Sequence, residues 1–78
     1  MRKEIIINAL SNYKNEVMEI LLLDQLWMTT GDQEYAIKCE NKLQELAEKV
    51  TRDVCAPDKF DRVHNIVGDF IEEQKQSL

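Results

Sequence analysis

The stretch MTTGDQEYAIKCENKLQELAEKV, residues 28–50, decides what kind of fold this chain can take. Gly31 interrupts one helical pattern, and a second begins at once. Thr30 and Gln33 stand at capping-box spacing, which predicts that Thr30 receives the amides opening the new helix. From there Ala36, Cys39, Leu43, Leu46, Val50 and Val54 recur at the helical period, predicting a helix over about 32–54. Its outer surface pairs Glu34 with Lys38, Glu45 with Lys49 and Glu48 with Arg52. Each acid precedes its base by four residues, the orientation that supports a helix by about 0.2–0.5 kcal/mol per pair.

Working outward from this segment, the residues before it predict a helix from about 3 to 28. Ile6, Leu10, Tyr13, Val17, Ile20 and Trp27 share one face at about 100° per residue. After it, the segment CAPD (55–58) breaks the chain again, and Pro57 suits a first helical turn because its missing amide costs little there. A third helix is expected from 57 or 58 to 75, with Phe60, Val63, Val67, Phe70 and Ile71 on one face and Ile66 at its edge. Gly68 lies away from that face and weakens the helix by about 1 kcal/mol relative to Ala. QKQSL reads as a fraying tail.

The fold class is therefore all-α. One domain over 1–78 is expected, an antiparallel helical hairpin plus a shorter third helix, a three-helix bundle with the capacity to dimerise into a larger one. The first two helices would be about 35–39 Å long and the third about 27 Å. The third helix should then run out before the hairpin tip at 28–33.

Composition narrows the function classes. The chain is 44% hydrophobic and 32% charged, with two glycines and one proline, which suits a packed helical protein and not disorder. A net charge of −5 opposes the basic footprint needed to grip nucleic acid or an anionic membrane. A helix-turn-helix reader would need short helices and a basic recognition helix, whereas the third helix carries Asp58, Asp61, Asp69, Glu72 and Glu73. On one continuous helix Cys39 and Cys55 would lie about 24 Å apart, too far for a disulfide. Two free thiols, no secretory signal and no membrane span make the cytoplasm the expected location.

Asp24 is the odd residue in the run ILLLDQLWM (20–28). Leu21, Leu22, Leu23, Leu26, Trp27 and Met28 surround the helix there on nearly every side, a pattern that calls for burial all round. A short third helix cannot supply that cover. The expected site is an oligomer or partner interface of Leu22, Leu23, Asp24, Leu26, Trp27, Tyr35 and Ile37. Within it Asp24 would act as a specificity device. The alternative is that the third helix or the tail covers these residues and Asp24 bonds Tyr35 or a backbone amide.

An enzymatic reading rests on two ExxE elements, Glu16-Val-Met-Glu19 and Glu45-Leu-Ala-Glu48. In outline they resemble the ExxE…ExxD metal motif of MazG-like nucleotide pyrophosphohydrolases. The resemblance covers only these four acids, and Glu48 stands where that family has Asp. It implies a helical fold and a magnesium site on Glu16, Glu19, Glu45 and Glu48. Against it, Glu45 and Glu48 project about 150° from the apolar stripe of their helix, whereas metal ligands must converge. His64 has Asp61 one turn earlier as an ion-pair partner and no nucleophile at useful spacing. Cys39 reads as a small hydrophobe on the core stripe. The favoured expectation is a non-enzymatic protein that binds another protein or itself, as a homodimer, with no cofactor.

Overall fold

The computed structural model describes residues 2–77, and within them every regular element is a helix. Helix α1 spans Lys3–Leu10, α2 Lys14–Thr30, α3 Gln33–Asp53 and α4 Phe60–Ser77, with single 3₁₀ turns at Ser11–Tyr13 and Pro57–Lys59. The long α2 and α3 form the antiparallel hairpin. α4 returns along α3, and α1 packs chiefly on α4. This is the expected three-helix bundle, with the first helix divided in two.

That division is the first correction. The Ser11 hydroxyl donates to Asn8 O at 2.6 Å, and Tyr13 leaves helical geometry at φ −126°, ψ 39°. A side chain bonding back to its own helix competes with the backbone ladder, a recognised cause of bending. The Tyr13 phenol then donates to the Asp53 carboxylate at the far end of α3. This bond ties the bend to the hairpin's second arm.

The hairpin turn is the second correction. Gly31 takes the left-handed conformation at φ +71° and its N–H donates to Trp27 O at 2.8 Å, ending α2. Asp32 is the next residue with extended backbone, so it, and not Thr30, caps α3 by accepting from Glu34 N at 3.0 Å. Thr30 is the last residue of α2. Its hydroxyl donates to Leu26 O and accepts from Asp32 N.

The C-terminus of α3 closes by a Schellman motif, with Ala56 N donating to Thr51 O and Cys55 N to Arg52 O, both at 3.1 Å. Cys55 occupies the left-handed position there at φ +54°, where glycine is the usual residue. Pro57 opens the short turn into α4, as its position predicts.

Helix α4 extends two residues past the expected end at 75. The segment QKQS is helical, and the Ser77 hydroxyl bonds back to Glu73 O at 3.0 Å, so among the described residues no frayed tail follows. The terminal Leu78 lies outside them.

The core draws on every helix: Ile6 and Leu10, Val17 and Ile20, Leu46 and Val50, Val63, Ile66, Val67 and Ile71. Trp27, expected on the core face of its helix, is exposed, and Tyr13 is half-buried. The molecule measures 38 × 23 × 18 Å, and all of this burial lies toward one end of its long axis: none of residues 21–45 is buried.

Candidate interaction surface at the hairpin tip

Asp24 has a partner that neither sequence alternative named. Its carboxylate lies 3.0 Å from Lys75 Nζ, and Lys75 also holds Glu72 at 2.8 Å. The last turns of α4 run beside α2 and bring Lys75 against Asp24. Burial by itself lowers the Lys75 ammonium's pKa, but the bonds to Glu72 and Asp24 and the charges of those carboxylates outweigh it and leave the pKa raised. The carboxylate is only 13% exposed, so the pair is largely withdrawn from water. Beside it the Cys39 thiol points at Ile20 O, 3.6 Å away, and burial followed by the Asp24 charge pushes its pKa up. A thiol so placed is a weak nucleophile.

The seven residues expected at an interface are only partly brought together. Leu22 and Leu23 floor a shallow groove between α2 and α3, walled by Glu19, Lys38, Asn41, Lys42 and Glu45. Leu26 follows Leu22 one turn later on the same side of α2. Leu22 is 56% exposed and Trp27 42%. Tyr35 is half-buried, with Lys38 Nζ 6.0 Å from the centre of its ring. Ile37 is exposed and projects about 180° from the core residue Leu46, so it flanks the groove without lining it. Asp24 points about 160° away from Leu22, toward α4.

On that second side Leu21, Asp24, Gln25, Met28, Lys75 and Gln76 line another cleft. It meets a groove floored by Leu10, Val17 and Leu21 and edged by Met18 and Phe70. Met18, highly exposed, was missed in the sequence. Its place four residues before Leu22 was the signal that could have found it.

The charged residues take different partners from those expected within α3. Lys42 reaches Glu19 at 2.9 Å and Glu45 at 4.0 Å, and Lys49 reaches Glu16 at 3.8 Å. The antiparallel hairpin sets these lysines opposite the acids of α2, so Lys49 turns away from Glu45. Its hydrogen bond and charge interaction with Glu19 raise the pKa of Lys42. Glu34–Lys38, Glu45–Lys49 and Glu48–Arg52 do not close within 4 Å.

The same geometry sets lysines among the acids of the two ExxE elements. Lysine ammonium groups meet Glu16, Glu19 and Glu45, while Glu48 is exposed on the far side of α3. Among the described residues no three His, Cys, Asp or Glu side chains converge to hold a metal ion. His64 packs against the Phe60 ring, centroids 5.9 Å apart, in place of the expected pairing with Asp61. Cys39 and Cys55 are both free thiols. Among the described residues, no helix is long and apolar enough to cross a membrane.

What the tip offers is a shallow apolar floor between charged walls, with isolated apolar side chains around it. No protein-family model matches this chain, and neither a curated protein nor a solved structure matches it.

Proposed function

We propose that the protein is a non-enzymatic interaction module, an adaptor, inhibitor, chaperone or small regulator, which binds protein through the outer face of its hairpin tip. One observation carries the reading. The most apolar run of the chain lies where no residue from 21 to 45 is fully buried, leaving Leu22, Trp27, Met28 and Ile37 between 42% and 75% exposed. Exposed apolar side chains gathered in one region, rimmed by polar residues, mark contact surfaces. Their polar rim here is the set of charges along α3. The two free thiols fit a reducing cytoplasm.

The test compares capture of binding proteins by the wild-type chain and by Leu22→Glu, with helicity checked by circular dichroism. Leu22 is exposed, so the variant should fold normally and lose the partner. Equal capture by both proteins would refute the reading.

A further inference from the structure

The walls of the tip groove carry a charge pattern with its own symmetry. Along α3, Glu34 and Lys49 lie equally far on either side of the point between Asn41 and Lys42, and so do Lys38 and Glu45. The two residues of each pair have opposite sign. All four project within about 60° of one another around the helix, and Lys38 and Glu45 line the groove over Leu22 and Leu23. When a second α3 is laid antiparallel across this flank, every acid faces a base.

A two-fold interface must be complementary to itself, because residue i meets j and j meets i. A wall of one sign would repel its own copy, but this one attracts it. Intramolecular bonding leaves the pattern largely unspent. Among the described residues Glu34 and Lys38 make no ion pair within 4 Å, Glu45 reaches Lys42 only at 4.0 Å, and Lys49 reaches Glu16 only at 3.8 Å.

Resting on the reading of the tip as a binding surface, we infer that its occupant is a second copy of this chain. The copies are docked by antiparallel α3 helices about a dyad at Asn41 and Lys42. Glu34 then pairs with the other copy's lysine at position 49, and Lys38 with its glutamate at position 45. Leu22 and Leu23 are covered between the two hairpins. Charge steers the register, and the apolar floor supplies the burial.

Sedimentation equilibrium of the intact chain tests this, with an expected mass about twice 9.2 kDa. Lys38→Glu or Glu45→Lys alone places like charges together at two symmetric points and should raise the dissociation constant about tenfold. The double variant Lys38→Glu/Glu45→Lys restores opposite charges across the dyad and should return to within about threefold of wild type. Lys38 and Glu45 are about 10 Å apart along one helix and do not pair with each other within a chain, so recovery of the dimer by their exchange reads the contact between chains.

As a second measurement, Asn41→Cys in a Cys39→Ala/Cys55→Ala background should oxidise to a disulfide-linked dimer, since the dyad brings position 41 to its own copy. A chain that stays monomeric to about 1 mM, a double variant no better than either single one, or no cross-link at position 41 would each overturn the second-copy occupant. None of these outcomes touches the binding-surface reading, which stands or falls on capture by Leu22→Glu.

Discussion

The two ends of this bundle differ in how many helices meet there, and the difference outweighs sequence hydrophobicity. At the base, α1, α3 and α4 close around the start of α2. Val63 and Val67 are wholly buried there, although Asp61, Arg62 and Asp69 flank them in sequence. At the tip only α2 and α3 continue, with the last turn of α4 alongside. ILLLDQLWM is far more apolar than the segment around Val63, yet beyond Ile20 none of its residues is fully buried, though α4 covers the Asp24 side chain. A side chain is buried when neighbours stand on all sides of it, and a two-helix hairpin provides them on one side only.

The contrast is most easily broken by truncating one leucine at each end. Leu46→Ala removes a side chain that is 1% exposed at the meeting of the helices and should cost about 2–5 kcal/mol through lost burial and a residual cavity. Leu22→Ala should change stability by less than about 0.5 kcal/mol, as exposed substitutions usually do. Urea unfolding of both variants at low protein concentration checks this. Comparable losses would mean that the tip is packed in a way its exposure denies.

Asp24 sharpens the comparison, because it marks where cover by α4 ends. Asp24→Leu deletes the partner of a Lys75 that remains partly withdrawn from water and keeps only Glu72. Breaking such a pair on one side strands the other charge, which is severe for buried pairs and slight for surface ones. With Lys75 29% exposed, the loss should be about 1–2 kcal/mol. Thermal melts at neutral pH read it directly. A stabilised Leu variant would show instead that the carboxylate is kept for pairing specificity at a cost in stability, the role first suggested by its place among leucines.

How much of this was legible beforehand follows from the same physics. Periodicity places three helical segments, and the core faces of Val17, Ile20, Leu46, Val50, Val63 and Val67 come straight from it. The bend at Ser11–Tyr13 carries no glycine or proline to announce it, and depends on a long-range bond from Tyr13 to Asp53. Capping-box spacing points to Thr30, but the left-handed turn at Gly31 makes Asp32 the first extended residue and so the cap. The expected pairs within α3 gave way to lysine bridges onto α2, because an adjacent helix offers acids that a single-helix reading omits. Lys75 could not be paired with Asp24 without knowing that the polar tail stays helical. The apolar tip could be read as uncovered, because helix lengths alone set the overhang. How its residues divide among three directions could not, since that depends on how the hairpin faces α4.

The smallest effect concerns the bend, where the base is tied to the end of α3. The hydrogen bond to Asp53 raises the pKa of the Tyr13 phenol above its usual 10.0; burial and the nearby carboxylates of Asp53 and Glu16 add to the rise, and Arg52 opposes it. A neutral phenol donates to Asp53, whereas a phenolate would repel it. The folded pKa exceeds that of the unfolded chain, so the bond's contribution is fully present below about pH 10 and is lost as pH rises through the folded value. Tyr13→Phe should therefore be less stable than wild type at pH 8, by no more than the roughly 0.5–1.5 kcal/mol of an ordinary hydrogen bond. The gap should close as pH climbs past 10. The raised Lys75 and Lys42 titrate in the same range and also lose their contribution as pH rises, but both are present in the two proteins and cancel in the difference. Urea midpoints of the pair between pH 8 and 11 measure it, and a gap that stayed constant or widened with pH would show that the phenol is not the donor holding the bend.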